Sequence, residues 1–460
     1  MSGVLESNET AFFFAVCLVC LGWAPEGAAA PVHTNSIAWH KAADQVDADV
    51  QRLPLWPLLE KIAAAAEWNI FVEPGAERNA SAKFRGLPSG DALKRLLGDL
   101  NFALVPRTNA PSQLYVFRTT LQAATRRVAV AKPAKRIARE LLLRVKPGTD
   151  IETLAKLLGA RIIGRLDKQG VYRLQWDDPA SADAALAQLQ ANSDVLQVDY
   201  NYAFDPPVPS VPLDSPSGKP ISLSLNPPGD SGRVVVGLID MNVQSLGASL
   251  DKFILPQLSV AGDIPANGKD LTHGTAMAYA ILESVAQQSP GGSSSVQIQP
   301  VDVYGGNETT TSWFVALGIQ KAVDSGANVL NMSLGSTGDS SVLEGIIKLA
   351  VANNIVMFGA AGNVPVATPT YPAAIPGVYD VTALSRPGQL APYANYWPGN
   401  SLALPGSSVV YFGNQAYGVQ GTSTATAYAS GMFAGSWAAT GASAPQILSA
   451  MKSKFPVPAP

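Results

Sequence analysis

Between Arg233 and Lys454, short apolar runs alternate with helix-length segments, and this alternation constrains the fold more than any other feature of the chain. Val234–Ile239, Val296–Tyr304, Asn328–Leu334 and Ile355–Ala360 are largely apolar runs of strand length. Between and around them, His273–Ala286, Ser312–Ser325 and Ser341–Asn353 read as helices. Strands that are apolar along both sides need cover on both faces, and the intervening helices supply it. The expectation is an α/β unit with a parallel sheet and helices on both faces. Ligands of such sheets bind at the carboxyl ends of the strands, so chemistry is expected there.

Upstream the texture changes twice. From about Val46 to Thr120, Leu55, Leu59, Ile62 and Ala66 recur at helical spacing, and Asn69–Val72 follows as a short strand. A second helix carries Leu93, Leu96, Leu97 and Leu100 on one side. Phe102–Val105 and Leu114–Phe117 read as strands joined by a turn-rich Arg107–Ser112. From about Ile137 to Tyr202, the strands Leu141–Val145, Val171–Trp176 and Val195–Tyr200 enclose two helices. Thr149 and Glu152 have the spacing of a capping box opening the first of these, with Ile151, Leu154 and Leu158 inward. The second is Ser181–Ala191. Two small α+β domains are thus expected ahead of the α/β unit. Asp205–Gly232 carries eight prolines and no apolar periodicity, so it reads as an extended, exposed linker that a protease could cut.

Composition narrows the function. The net charge is −3 and no Lys/Arg stripe is interleaved with aromatics, which argues against a nucleic-acid partner. The short basic patch from Arg126-Arg127 to Arg139 reads as a solvated linker. The only two cysteines, Cys17 and Cys20, lie in the apolar run Ala11–Trp23, which spans 13 residues. A bilayer span needs about 20. With Ala28-Ala29-Ala30 after it, the run reads as the core of a signal peptide over residues 1–30, although Met1–Thr10 carries no Lys or Arg. Cleavage would leave a periplasmic or secreted chain with no cysteine, excluding disulfides and thiol nucleophiles.

A serine nucleophile needs a base to take its proton, and an imidazole oriented by a carboxylate is suited to that near neutral pH. Of three histidines, only His273 lies in the α/β unit, at a helix start. Asp240 follows the run Val234–Ile239, at the sheet's carboxyl edge; taken singly, it could equally cap a loop. Ser423 lies among small residues in "GTSTATAYASG" at the start of a long helix. There the positive helix end favours developing negative charge, though a plain N-cap serine would look the same. Asn363, after the run ending at Ala360, is either a turn residue or an amide donor to an oxyanion.

Together these segments resemble the subtilase family across nearly all of Val234–Lys452. The order Asp240, His273, Ser423 is that family's. "HGTAMA" and "GTSTATAYASG" follow its His and Ser motifs, "NVLNMSLGS" its substrate-binding strand and "AAGN" its oxyanion segment. The resemblance implies a serine endopeptidase with a subtilisin-like fold. By that resemblance Ser423 would be the nucleophile, His273 the base then acid, and Asp240 the orienting carboxylate. Asn363 and the Ser423 N–H would hold the oxyanion. Ser333, Leu334 and Gly335 would pair with the substrate backbone, with Ala361 and Gly362 also at the substrate-binding site. Two positions depart from the pattern. Met241-Asn242 replace a hydroxyl residue and glycine, with Asn242 expected to keep the turn through a left-handed backbone. Ala427 replaces a proline. Calcium is common in the family, but no ligand cluster is convincing here; Asp263, Asn267 and Asp270 read as loop polar residues.

The segment "ELLLRVKPGTDIETLAKLLGARIIGRL…GVYRLQW…VLQVDYNY" resembles a fervidolysin-type subtilase propeptide, which implies a folding template that also covers the cleft. The pattern "LPLWPLLEKIAAAAEWNIFVEPG…FRGLPSGDALKRLLGDLNFALV…LYVF" resembles the short N-terminal domain of secretins and TonB-dependent receptors, which implies an envelope partner. The expected organisation is signal peptide 1–30, receptor-like domain 46–120, propeptide-like domain 137–204, linker 205–232 and peptidase domain 233–454. The expected substrate is protein or peptide, beside the chain's own propeptide. The alternative, motivated by Met241-Asn242, is a catalytically weak or inactive scaffold docking to an envelope secretion or receptor complex.

Overall fold

The computed structural model describes residues 35–458 except 108–109, 215–219, 227–232, 264–267, 398 and 400. The signal-peptide segment, both cysteines, His33 and Asn267 lie outside the described residues.

The first unit holds β1 (Ser36–His40), β2 (Gln45–Pro54), α1 (Leu55–Ala66), β3 (Asn69–Val72), β4 (Asn79–Pro88), α2 (Ser89–Leu97), β5 (Asn101–Val105), β6 (Gln113–Phe117) and β7 (Arg126–Arg127). Two small sheets result, ordered β1-β2-β4 and β5-β6-β3-β7. Their core takes Leu58, Leu59 and Ile62 from α1 and Leu93, Leu96 and Leu97 from α2. Leu100 is buried just beyond the end of α2. The basic pair is not a solvated linker. Arg126 and Arg127 form β7, which pairs antiparallel with β3, and the Arg126 guanidinium lies 4.4 Å from the Trp56 ring centroid.

The second unit holds β8 (Arg136–Val145), α3 (Ile151–Leu157), β9 (Arg161–Leu166), β10 (Val171–Gln175), α4 (Pro179–Gln190) and β11 (Val195–Phe204). Its strands pair antiparallel in the order β11-β8-β10-β9. The expected capping box at Thr149 is displaced by one residue. Asp150 is the N-cap and accepts from the Thr153 N–H, while the Thr149 hydroxyl donates back to the Lys146 carbonyl. A carboxylate at a helix N-terminus gains from the positive helix end as well as from the hydrogen bond.

The connecting segment is structured in part. Asp205–Val208 lines a cleft of the third unit. β12 (Val211–Leu213) pairs with β25 of that unit (Gln415–Gln420), and β13 (Ser224–Leu225) pairs with its β16 (Ser293–Ser294). Prolines at 206, 207, 209 and 212 keep the chain extended, and extended chain is what an added edge strand requires.

The third unit is the expected α/β layer structure. In chain order its remaining elements begin with β14 (Val235–Asp240), β15 (Leu258–Ser259), α5 (His273–Gln287), β17 (Gln297–Asp302), β18 (Thr310–Thr311) and α6 (Ser312–Asp324). They continue with β19 (Val329–Met332), α7 (Ser341–Ala352), β20 (Val356–Ala360), β21 (Val378–Arg386), β22 (Gln389–Leu390), β23 (Leu402–Pro405), β24 (Ser407–Phe412), α8 (Thr422–Thr440) and α9 (Ala444–Lys454). The sheet runs β15-β17-β14-β19-β20-β21, all parallel, with β22 and β23 attached to β21. Helices α5 and α8 pack on one face and α6 and α7 on the other, each over its own apolar cluster. Among the described residues no helix is long and apolar enough to cross a membrane.

Candidate active site

Asp240 is the last residue of β14 and is 1% exposed. Its Oδ1 accepts from the Met241 N–H at 2.7 Å. His273 is the first residue of α5, and its Nδ1 lies 2.8 Å and 3.0 Å from the two Asp240 oxygens. A buried carboxylate can only accept there, so Nδ1 carries the proton and Nε2 is left as the basic nitrogen. The loop before α5 is tied down on several sides. Thr272 caps α5 by accepting from the Thr275 N–H, and its hydroxyl donates to the Asn242 carbonyl. The Gln244 amide donates to the Gly268 and Asp270 carbonyls, while its oxygen accepts from the Thr272 N–H. A Cβ at Gly274 would stand 2.1 Å from the Met241 carbonyl oxygen, so only glycine lets the start of α5 seat against the end of β14. Asn242 does not adopt a left-handed backbone, contrary to expectation; the turn is held by the Thr272 hydroxyl instead.

Ser423 is the second residue of α8, behind Gly421 as N-cap, and is 8% exposed. Helices α5 and α8 run parallel and in register. Gly431 packs against Ile281 and Ser284, and Gly435 against Val285 and Gln288. Gly431 and Ile281 each lie eight residues into the chain from Ser423 and His273, so the two helix starts lie side by side at one end of the sheet. Gly431 permits this closeness, since a Cβ there would meet the Ile281 carbonyl oxygen at 2.3 Å. The Ser423 hydroxyl donates to the Ser333 carbonyl at 3.1 Å rather than to His273. The Ser333 hydroxyl in turn donates to the Ser423 carbonyl at 3.0 Å, which ties β19 to α8.

Asn363 follows β20. Its Oδ1 accepts from the Thr422 N–H at 2.8 Å and from the Thr422 hydroxyl at 3.2 Å. A backbone N–H can only donate, which fixes the amide's orientation: Oδ1 faces α8 and Nδ2 remains a donor beside Ser423. Asn363, Ser423, Thr422, Ser333, Leu334, Gly335 and Gly362 all line one cleft of about 330 Å³. Ala361 does not. It is fully buried, its N–H donates to the Val381 carbonyl and its own carbonyl accepts from the Thr370 hydroxyl. Sequence reasoning also missed Tyr304, Thr370 and Asn395 in the wall. Another residue it missed is Asp302, the register partner of Asp240 on β17. Burial chiefly, and the Asp240 charge secondarily, push its carboxyl upward, while N–H groups of Tyr304 and Gly305 pull it back. Among the described residues no group of three or more His, Cys, Asp or Glu converges as a metal site.

Ala131, Lys132 and Asp205–Val208, from outside the third unit, also line the cleft. The second unit delivers the latter segment through a set of specific contacts. β11 pairs with β18. Asp199 accepts from the N–H and hydroxyl of Ser341 at the start of α7. Asn201, fully buried, accepts from the Trp313 N–H at the start of α6 and donates to Glu140. Two helix N-termini are thereby capped by the second unit.

A buried His–Asp pair, a serine at a neighbouring helix start and an amide donor stand together at the carboxyl edge of a parallel sheet of subtilisin-like fold. Residues 231–451 match the sequence model of the Subtilase family, and residues 122–201 that of the fervidolysin N-terminal prodomain. The thermostable alkaline protease of Halalkalibacterium halodurans is 37% identical over 142 residues, 30% of this chain and 39% of that protein. The cell wall-associated protease of Bacillus subtilis is 38% identical over 169 residues, 35% of this chain and 18% of its own length. The matched segments thus span less than two thirds of these relatives. The crystal structure of fervidolysin from Fervidobacterium pennivorans, a keratinolytic enzyme related to subtilisin, shares the fold. It superposes with a TM-score of 0.53 at 20% identity, covering 69% of this chain and 57% of that one.

Proposed function

We propose that the chain is an exported serine endopeptidase made as a zymogen. Residues 137–204 serve as its prodomain, 205–232 as the connecting segment and 233–454 as the peptidase. Ser423 attacks the scissile carbonyl, His273 Nε2 takes its proton and returns it to the leaving amine, and Asp240 stabilises the imidazolium. The mechanism requires the serine hydroxyl to leave the Ser333 carbonyl for the imidazole; catalytic hydrogen bonds often tighten only with substrate bound. Asn363 Nδ2 and the Ser423 N–H receive the oxyanion. Ser333–Gly335 hold the substrate backbone as an added strand.

The observation that carries this reading is the hydrogen bond from His273 Nδ1 to the buried Asp240, at the helix start adjoining that of Ser423. A scaffold that only binds peptides has no use for an oriented imidazole. Export rests on the signal-like segment 1–30 and on likeness to a relative named an extracellular protease. An envelope partner for residues 46–120 rests on their sequence pattern alone. The test is expression of the full chain beside Ser423→Ala. The wild type is expected to convert to a shorter product cut within 205–232, and the variant to stay whole. Identical size patterns would remove self-processing.

A further inference from the structure

A cut within 205–232 leaves the first two units on one fragment, and each of them has its own contact with the third unit. One is the β11 edge already described. The other is α1 of the first unit. Trp56 and Glu60, four residues apart, lie on one face of α1. Glu60 is 6% exposed, and its Oε1 accepts from the Ala367 N–H at 2.5 Å while the Thr368 hydroxyl reaches its Oε2 at 3.4 Å. The Trp56 and Tyr396 rings lie 6.0 Å apart, and Arg126 of β7 sits over both, at 4.4 Å and 5.9 Å. The surface gripped in this way is continuous with the oxyanion segment. The Tyr396 N–H donates to Val366, the Asn395 N–H to Gly362, and the Val364 N–H to Asn395. Between the two contacts the chain forms part of the cleft wall at Ala131–Lys132, where the Thr337 hydroxyl donates to the Lys132 carbonyl.

We propose that the surface formed by Ala367, Thr368 and Tyr396 is a docking site for α1 and β7 of this same chain, making the first unit a second anchor that keeps the cleaved prodomain on the cleft. This rests on the zymogen reading above. A fragment held at two linked sites rebinds at one while the other opens, so it leaves about 100- to 10,000-fold more slowly than either half alone.

The anchor has a built-in release. Burial pushes the Glu60 carboxyl up to about 7, and the Ala367 and Thr368 hydrogen bonds and the Lys61 charge only partly oppose it. The charged and titratable groups around it are Lys61 on α1, Arg126 on β7 and the Tyr396 phenol on the catalytic unit, with Glu73, Glu77 and Arg78 along the adjoining cavity. Docked Glu60 binds a proton more tightly than undocked Glu60. The anchor is therefore fully engaged below the ordinary carboxylate value near 4.5 and is lost as pH rises through about 7. Between pH 5 and pH 8 the docking constant changes on the order of 50-fold. Asp199, also pushed up by burial, weakens the prodomain edge in the same direction.

The test uses the full chain carrying Ser423→Ala, with a foreign protease's recognition site inserted between Asp214 and Pro220. A second version adds a site after Pro133, so that cutting also separates the first unit from the prodomain. Dissociation from the tethered catalytic unit is timed at pH 5 and pH 8. The linked fragment is expected to stay at least 10-fold longer than the separated prodomain at pH 5, with most of that advantage gone at pH 8. Glu60→Gln, which still accepts from Ala367 but carries no charge, is expected to keep the advantage at pH 8. Arg126→Ala is expected to shorten retention without touching the carboxyl. Equal retention of linked and separated prodomain, or an unaltered pH response in Glu60→Gln, overturns the proposal. With Ser423 removed, neither result depends on the chain's being a protease, which is tested separately by labelling of the intact serine.

Discussion

In the proposed mechanism Asn363 does two jobs with two ends of one amide, and they can be separated by mutation. Its Oδ1 satisfies the Thr422 N–H at the start of α8, while Nδ2 is left to donate to a developing oxyanion. Replacement by aspartate keeps an acceptor for Thr422, with a negative charge that the helix start favours. It also turns the donor into a second acceptor, repelling the oxyanion. Turnover is expected to fall by at least the 100- to 1,000-fold measured for the equivalent donor in subtilisin, about 2.7–4 kcal/mol, with little loss of stability. Replacement by alanine loses the same donor and also strands the Thr422 N–H. That adds about 1–3 kcal/mol of destabilisation, or roughly 2–12 °C in Tm for a unit of this size. The assay is kcat and KM on a chromogenic peptide, beside thermal unfolding of the processed enzyme. Both variants should lose kcat with KM nearly unchanged, and only the alanine should lose Tm. A fall in kcat under fivefold in both, or an aspartate variant as unstable as the alanine, would refute the assignment of the two ends.

Other perturbations follow from the same geometry. Asp240→Asn presents an amide to Nδ1 and favours the wrong imidazole tautomer; kcat is expected to fall about 10,000-fold with folding intact, read by burst titration and circular dichroism. Gly274→Ala drives a methyl group to 2.1 Å from the Met241 carbonyl oxygen. About 1–3 kcal/mol of overpacking should lower Tm and separate His273 from Asp240, costing activity as well. Asp199 is pushed up by burial, so the docked prodomain binds a proton that the free one does not. Its hold on the catalytic unit should weaken as pH rises above the ordinary carboxylate range near 3.8, and Asp199→Asn should flatten that dependence in a prodomain-inhibition assay.

The α/β unit was legible because strands buried on both faces must be apolar along their length. Val234–Ile239 became β14 within a residue, and the helices α5, α6 and α7 start where read. The first unit was harder. In β2 the buried Val46, Ala48 and Val50 alternate with Asp47 and Asp49, a half-buried pattern that charges dilute. In β4 only Ala80 and Phe84 are buried among ten residues that include Gly86 and Pro88. The motifs singled out Asp240, His273, Ser423 and Asn363 because each sits at or just past an element end that the sequence marks. Which end of the Asn363 amide faces the cleft is set by Thr422, 59 residues away, and no local pattern carries that. Glu60 reads as an ordinary polar residue on an amphipathic helix until the catalytic unit covers it. The proline-rich segment misled in a different way. Its composition gives extended chain correctly, but an extended chain beside an open cleft or sheet edge is as ready to pair as to hang free.

The most direct measurement is reaction of the processed enzyme with a fluorophosphonate at pH 7–8, followed by mass mapping of the adduct. If Ser423 is the nucleophile, one adduct is expected on the peptide containing it, absent when His273 is replaced by alanine. No adduct on the free, folded catalytic unit, or one that forms as fast without the imidazole, would contradict that role.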